Sequence, residues 1–170
     1  MRPATLVPVE EYLTTSYEVD CDYVEGALVE RNVGERYHGL LEGEIYSYFR
    51  ARRAEWSVYP FIEQRIQISS RRFRVADVCL VAGKPVEQIF TKPPLVVVEI
   101  LSPEDRMSRM LARIDDYLNF GVRYVWVIDS VSRRAHAYTA QGSQEVKDGI
   151  LRTENPAIEL RLGEIFRELD

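Results

Sequence analysis

The stretch Leu95-Val-Val-Val-Glu-Ile-Leu-Ser-Pro103 predicts a β-strand that is buried on both faces. One carboxylate, Glu99, lies inside this apolar run. A second apolar stretch, Phe73–Val81, contains Asp77 in the same way. Burying an ionised carboxylate is costly unless a cation or a hydrogen-bond donor meets it. The two acids therefore call for one explanation, and the hypothesis that covers both is a shared metal ion.

The segment after Leu95–Pro103 predicts a βαβ unit. Apolar residues recur at helical spacing over 105–120, Ser102-Pro103 marks the helix start and Gly121 its end. A further apolar strand is predicted over Tyr124–Ile128. Two strands joined through a helix are parallel in the same sheet. The unit therefore places strands 95–101 and 124–128 side by side and parallel.

The segments before this unit predict antiparallel strands joined by short turns. An N-terminal β-hairpin over Tyr23–Glu30 turns at Glu25-Gly26. Two β-rich stretches follow at Trp56–Pro60 and Ile62–Ile68, and they lead through a turn into the strand Phe73–Val81. The fold class predicted is α/β, a mixed β-sheet flanked by helices with the hairpin at its N-terminal side.

The remaining segments predict helices and a loop. Short and long helices are predicted at Val9–Leu13 and Arg36–Ala54, and a loop with a short helical turn at Gly83–Pro94. Within the second β-rich stretch, alternation puts Ile62, Gln64, Ile66 and Ile68 on one strand face. A last strand and a short helix over Leu162–Leu169 close the chain. No repeat or linker divides the sequence, so residues 1–170 are predicted to form a single domain.

Composition limits the class of protein. At 170 residues and 46% hydrophobic content, the chain has material for a real core. No apolar run approaches the roughly 20 residues of a membrane helix, and the N-terminus has no signal-peptide core. Two isolated cysteines indicate neither a disulfide framework nor a zinc site. We expect a soluble protein of the cytoplasm that does not enter membranes.

The charge distribution leaves two interpretations open. The net charge of −5 is not typical of a nucleic-acid-binding protein. The arginines, however, cluster at 50–53, 71–74, 106–113 and 133–134. These clusters are either ordinary solvated faces or cations that line one groove.

The acids Asp77 and Glu99 fit the chemistry of a hard divalent cation. Two carboxylate oxygens and a nearby main-chain carbonyl suit Mg²⁺ or Mn²⁺. Such an ion lowers the pKa of bound water and neutralises charge on a phosphate. Arg106, Arg109 and Arg113 lie on the following predicted helix and could supply a cation. The competing interpretation is that the acids are ordinary capping or surface residues.

Several motifs follow one another in a characteristic order: Gly26, His38, Val75-Ala-Asp77, Val98–Pro103, Arg113, Tyr117–Val122 and Tyr124–Asp129. This order resembles the Uma2 family, also called DUF820. These proteins are similar to PD-(D/E)XK nucleases of the restriction-endonuclease-like fold. The resemblance covers about residues 20–140.

The resemblance implies a role for each matching position. Asp77 and Glu99 would be the metal-binding acids, with the main-chain carbonyl of Ile100 as third ligand, for Mg²⁺ (or Mn²⁺). Ala76 stands where the family has proline, and Leu101 where nucleases carry a lysine. The position that corresponds to the displaced lysine is Arg113.

Three further side chains enter through the same resemblance. His38 matches a helix histidine that faces the cleft, with Asp22 or Glu25 approaching it from the hairpin. A lone histidine is, on the other interpretation, structural.

The resemblance implies a Mg²⁺-dependent DNA endonuclease that uses Asp77, Glu99, Arg113 and His38. Because arginine does not readily release a proton, we expect electrostatic action rather than general-base action from Arg113. One alternative is a catalytically inactive nucleic-acid- or protein-binding module of the same fold. Another is an oligomeric structural or accessory protein. By analogy with nucleases that cut two strands, we expect a homodimer.

Overall fold

The computed structural model describes residues 6–31, 35–103 and 105–170. The first five residues, on which the targeting expectation partly rests, lie outside this part. In the described ranges the α-helices are α1 (Val9–Thr14), α2 (Arg36–Ala51), α3 (Arg53–Trp56), α4 (Met107–Phe120) and α5 (Leu162–Ile165). A 3₁₀ turn follows at Arg167–Leu169. None of the helices in these ranges has the length and apolar character needed to cross a bilayer.

The strands form one large sheet and one small one. They are β1 (Cys21–Val24), β2 (Ala27–Glu30), β3 (Val58–Ser69), β4 (Arg72–Ala82), β5 (Val96–Leu101), β6 (Tyr124–Asp129), β7 (Arg134–Thr139), β8 (Gly142–Glu145), β9 (Ile150–Thr153) and β10 (Ile158–Arg161). In the described residues the large sheet has the order β2-β1-β4-β5-β6-β7-β8, with β3 also paired to β4. Strands β9 and β10 pair separately.

The strand directions confirm the predicted fold class. Strands β5 and β6 are parallel and are joined through α4, whereas β1–β2, β3–β4 and β4–β5 are antiparallel. The N-terminal hairpin turns at Glu25 and Gly26, both with positive φ. The sheet is therefore mixed, with hairpins first and the crossover second.

Two apolar layers cover the two faces of the sheet. Helix α2 packs Leu41, Ile45 and Phe49 on the face that carries Val98 and Trp126. Helix α4 packs on the opposite face, which carries Cys79, Val97 and Val125; the helix contributes Met110, Ile114 and Tyr117. Because strand side chains alternate, Glu99, two residues after Val97, belongs to the face covered by α4.

The region between α2 and β4 differs from the prediction. The predicted helix Arg36–Ala54 ends at Ala51, since Arg52 leaves helical geometry, and Trp56 lies in the short helix α3. The two β-rich stretches form one strand, β3. Glu63 has a φ of 48° and interrupts the alternation, so Ile62 is 49% exposed whereas Ile66 is fully buried. The prediction of one shared face was wrong at Ile62.

Three other boundaries are corrected. Helix α4 begins at Met107 rather than Asp105, whose carboxylate instead accepts the main-chain N–H of Ser102 at 2.8 Å. The segment 83–94 contains no helical turn. The C-terminal part holds three strands, β8 to β10, where one was predicted; each has only four residues, which gives little pattern to predict from.

Candidate active site

The site forms where β4 and β5 separate. Their pairing runs from Leu80–Val96 to Val78–Val98, and the next residues along are Asp77 and Glu99. There the carboxylate of Asp77 replaces the strand partner, since its Oδ2 accepts the main-chain N–H of Ile100 at 2.7 Å. A buried main-chain N–H that has no partner on the neighbouring strand needs such an acceptor. This exchange places the carboxylate in the gap between the two strands.

Asp77 is buried and is met by two basic side chains. Arg31, which follows the hairpin, contacts Oδ1, and Nε2 of His38 on α2 lies 3.3 Å from Oδ2. Burial alone would raise the pKa of Asp77, but the hydrogen bond from His38 and the charge of Arg31 outweigh it and lower the pKa to about 2. Asp77 is therefore ionised, and the same contact raises the pKa of His38 against the effect of its burial.

Glu99 lies in a different environment from Asp77. The Nη2 atom of Arg113 is 2.8 and 2.7 Å from its two oxygens, and the hydroxyl of Tyr117 donates to Oε1 at 2.8 Å. Burial raises the pKa of Glu99 to about 7, although Arg113 acts in the opposite direction. Glu99 and Asp77 therefore hold their protons with very different strengths although they lie on adjacent strands.

Arg113 joins the site to the hairpin. Besides Glu99, it donates to Oδ2 of Asp22 and to the carbonyl of Val75, each at 2.7 Å. Burial disfavours its charge, but Asp22 and Glu99 outweigh that effect and raise the pKa of Arg113. The guanidinium is a permanent cation that three elements hold in place.

A second set of ion pairs continues from Asp22. Arg74 donates to Asp22 and to Asp116 at 2.8 Å each, and Arg72 donates to Asp116 at 2.7 Å. Asp22 also accepts the main-chain N–H of Val75 at 2.9 Å. Buried charges of both signs therefore alternate from the hairpin through β4 to α4.

A cleft of about 310 Å³ opens onto these groups. Its lining includes the predicted residues Asp77, Glu99, Ile100, Arg113 and His38. This volume is at the lower end of the range for ligand sites, about 300–1,000 Å³. The structure thus brings all the predicted site residues to one cleft.

Several residues of the cleft were missed by the sequence analysis. No sequence pattern marks Arg31 as a site residue, because it lies just after a half-exposed hairpin strand. Arg74 carried the same signal as Asp77, namely a charge inside an apolar strand. Of the two hairpin acids, Asp22 lines the cleft but contacts Arg74 and Arg113, whereas Glu25 lies beside Arg71 and Arg72.

The donor set fits Mg²⁺ or Mn²⁺ in kind. Asp77 and Glu99 offer carboxylate oxygens. In a β-strand the N–H and the C=O of one residue point toward the same neighbouring strand. Because the N–H of Ile100 is bound by Asp77, its carbonyl also faces the side of Asp77. No cluster of three or more His, Cys, Asp or Glu side chains suited to a metal exists among the described residues. A third protein ligand there would therefore come from the main chain, and an entering ion would have to displace Arg31 from Asp77.

Comparison with known proteins shows which family the chain belongs to. The sequence model of the Uma2 family, described as "Putative restriction endonuclease", matches residues 9–167. The chain belongs to the Uma2 family. The resemblance inferred from the motifs is thereby confirmed. The family match covers residues 9–167, a longer stretch than the residues 20–140 that the motifs indicated.

A solved structure supports the fold of this Uma2 chain. A crystal structure from Anabaena variabilis, described as "a putative nuclease belonging to DUF820", superposes with a TM-score of 0.81 at 20% sequence identity. The match covers 96% of this chain and 100% of the other. At this identity the likeness concerns the fold alone. No curated protein matches the chain in sequence.

Proposed function

We propose that this Uma2 protein is a Mg²⁺-dependent DNA endonuclease that hydrolyses phosphodiester bonds. The observation that carries the proposal is the separation of β4 and β5, at which Asp77 binds the N–H of Ile100 beside Glu99. Two buried acids and a strand-end main chain at the wall of an open cleft are suited to holding a hard cation next to a substrate. Membership of a family described as "Putative restriction endonuclease" points the same way.

The proposed metal ligands are Asp77, Glu99 and the main-chain carbonyl of Ile100. When bound, Mg²⁺ or Mn²⁺ supplies an acidified water and charge neutralisation at the phosphate. Arg113 acts electrostatically, because its guanidinium keeps its proton and lies against Glu99. His38 fixes the orientation of Asp77 through its Nε2 atom.

In the proposed reaction a water oxygen attacks phosphorus and one P–O ester bond breaks. The attacking water gives a proton to solvent as its oxygen bonds to phosphorus, and the departing oxygen takes a proton from solvent. Neither Arg113 nor Tyr117 serves as the base, because the pKa of each is raised and both remain protonated. Their part is to hold Glu99 in place and to stabilise negative charge.

Plasmid nicking with Mg²⁺ or Mn²⁺ tests this function. The variants Asp77→Asn and Glu99→Gln keep the shape of each side chain, and we expect them to lose at least about a hundredfold of the nicking rate. Calorimetric titration with Mn²⁺ should show binding to the wild type that both variants weaken. Asp115→Asn, an exposed acid on α4 outside the cleft, is the matched control. Equal nicking by all four proteins contradicts the proposal.

A second function is favoured by the pairing of both acids with arginine. Arg31 contacts Asp77 and Arg113 contacts Glu99, so the carboxylates are neutralised by the chain itself. This pattern suits a catalytically inactive module that binds DNA or a protein. That module would show salt-sensitive DNA binding without cleavage. An Arg113→Lys variant that remains inactive with Mn²⁺ would support it, whereas gain of nicking would exclude it.

The assembly and location are part of the same proposal. Residues 1–170 act as one domain, supported by apolar clusters that share one sheet. The protein works as a homodimer because cutting both strands of a duplex requires two sites, and light scattering with and without DNA tests this. The free thiols of Cys21 and Cys79 suit the reducing cytoplasm.

A further inference from the structure

We propose that Arg109 binds a backbone phosphate of the DNA strand that enters the cleft. This inference rests on the proposed function and assigns the first substrate contact within it. Among the described residues, the arginines that line the cleft are Arg31, Arg74, Arg109 and Arg113. They differ in whether the guanidinium is already paired with a carboxylate of the protein.

The other three arginines already form ion pairs with acidic side chains. Arg31 contacts Asp77 and Glu63, and its side chain is only 11% exposed. Arg74 pairs with Asp22 and Asp116 while remaining 6% exposed. Arg113 pairs with Asp22 and Glu99.

A cation held by a buried carboxylate is poorly placed to bind a phosphate as well. Withdrawing it leaves an unpaired buried charge, which costs about 3–5 kcal/mol.

Arg109 has the opposite properties. It is exposed at the cleft wall, and its side chain makes no hydrogen bond or ion pair with any residue in the described ranges. On α4 it lies four residues before Arg113, so both share one helix face at a rise of about 6 Å. Among the described residues it is therefore an unpaired guanidinium, one turn away from the group that contacts Glu99.

The chemistry of Arg109 suits a phosphate diester. A planar guanidinium donates two parallel hydrogen bonds to phosphate oxygens, and solvent exposure keeps its charge available for an incoming anion. The chain is acidic overall, at −5, so DNA cannot be held by general attraction and needs local cations. Around the cleft of this acidic protein, Arg109 is the arginine in the described residues that meets this need.

Fluorescence anisotropy with a labelled 20-base-pair duplex tests the inference. The protein is titrated in EDTA, which prevents cleavage, at several NaCl concentrations. We expect Arg109→Gln to weaken binding about tenfold at low salt and to lower the slope of log K against log[salt] by about 0.9, the value for one lost phosphate contact. Arg109→Lys should retain the slope with a smaller loss of affinity, because it keeps the charge and loses the planar fork.

Arg106→Gln is the matched control. Arg106 is an exposed arginine that precedes α4 and does not line the cleft. Equal losses in the Arg106 and Arg109 variants, or no loss at Arg109, overturn the inference while leaving the proposed function in place. A wild type that does not bind DNA in EDTA also overturns the inference, and the nicking assay with Mg²⁺ or Mn²⁺ then decides the proposed function separately. Thermal unfolding should be unchanged in Arg109→Gln, because no side-chain hydrogen bond or ion pair with a described residue is removed.

Discussion

Asp22 holds together the largest group of buried charges near the cleft. Its two oxygens accept hydrogen bonds from Arg74, Arg113 and the main-chain N–H of Val75. Its side chain is only 1% exposed, so water cannot replace these partners. At the residue scale, Asp22 is therefore a structural acid although it lines the cleft, whereas Asp77 and Glu99 are the proposed metal ligands there.

Removal of Asp22 should destabilise the fold strongly. In Asp22→Ala, two buried guanidinium groups lose a counter-charge, and we expect the free energy of unfolding to fall by about 3–5 kcal/mol. Urea denaturation followed by circular dichroism measures this change. Asp170→Ala removes an exposed acid paired with Arg133 and should cost about 0–1 kcal/mol. Similar losses in both variants would refute this view of Asp22.

Arg31 should compete with a divalent cation for Asp77. Its guanidinium contacts the carboxylate that the metal needs, so Arg31→Gln should raise the Mn²⁺ affinity by about tenfold, or about 1.4 kcal/mol. Without metal the same variant should be less stable than the wild type, because Asp77 loses its strongest counter-charge. Calorimetry and thermal unfolding measure the two effects. Arg133→Gln removes an exposed charge and should change neither.

At the scale of elements, helix α4 is positioned by its two ends and by its apolar face. Met110, Ile114 and Tyr117 pack on the sheet, which directs Arg113 and Tyr117 toward Glu99. Gly121 ends the helix with a φ of 111°, and a Cβ there would lie 3.4 Å from Pro93. The chain can therefore turn directly from α4 into β6.

Replacement by alanine should have opposite effects at Gly121, which follows α4, and at Gly43, which lies within α2. Gly121→Ala should lower the free energy of unfolding by about 1–2 kcal/mol, because an L-residue is strained in the left-handed region. Gly43 lies inside α2, and nothing would contact an added Cβ within 4 Å. Gly43→Ala should therefore raise it by about 0.5–1 kcal/mol. Changes of the same sign in urea denaturation would contradict this account.

The turn between β6 and β7 should give a pH-dependent contribution to stability. Asp129 accepts the N–H groups of Val131 and Ser132 at 2.8 and 3.0 Å. Burial, the largest single effect, raises the pKa of Asp129, but the hydrogen bonds with Ser132 and Val131 together outweigh it, so the pKa is lowered. A lowered carboxyl pKa stabilises the fold above the unfolded value, about 3.9, and the contribution disappears as pH falls through the folded value.

Comparison of wild type with Asp129→Asn tests that contribution. The wild type should have the higher urea midpoint at pH 7, and the difference should shrink at about pH 3.5 and below. Asp115→Asn, on the exposed face of α4, serves as control. A difference that grows on acidification would show that the sign is wrong.

At the scale of the whole molecule, the sheet separates two apolar layers and leaves the cleft at one end. Cys21 and Cys79 are 4% and 0% exposed, and burial raises the pKa of both thiols. Reactivity requires the thiolate, so native cysteines of this kind are protected. Their protection reports on the integrity of the hairpin and of β4.

Thiol labelling should therefore follow unfolding. With Ellman's reagent we expect no fast reaction in the native protein and two thiols per chain in denaturant, at least about a thousandfold faster. The single variants Cys21→Ser and Cys79→Ser assign each rate. Fast native labelling at Cys79 would show that β4 opens locally, and in that case the geometry around Asp77 would not be rigid.

Much of the fold could be predicted from the sequence because its signals are local. Alternation and apolar runs predict β4, β5 and β6, and the spacing of Met110, Ile114 and Leu118 predicts α4. The acids Asp77 and Glu99 stood out because each interrupts an apolar strand. Ile62 was misplaced, since the positive φ of Glu63 breaks the alternation.

By itself, the sequence determined the α/β class, the parallel pair β5–β6 and the two acids on adjacent strands. Only the tertiary structure decided which cations meet those acids. Arg31 approaches Asp77 from 46 residues away, and Asp22 meets Arg113 across 91 residues. Such partners are chosen by how the hairpin, sheet and helix pack together, and this information is absent from any local pattern of residues.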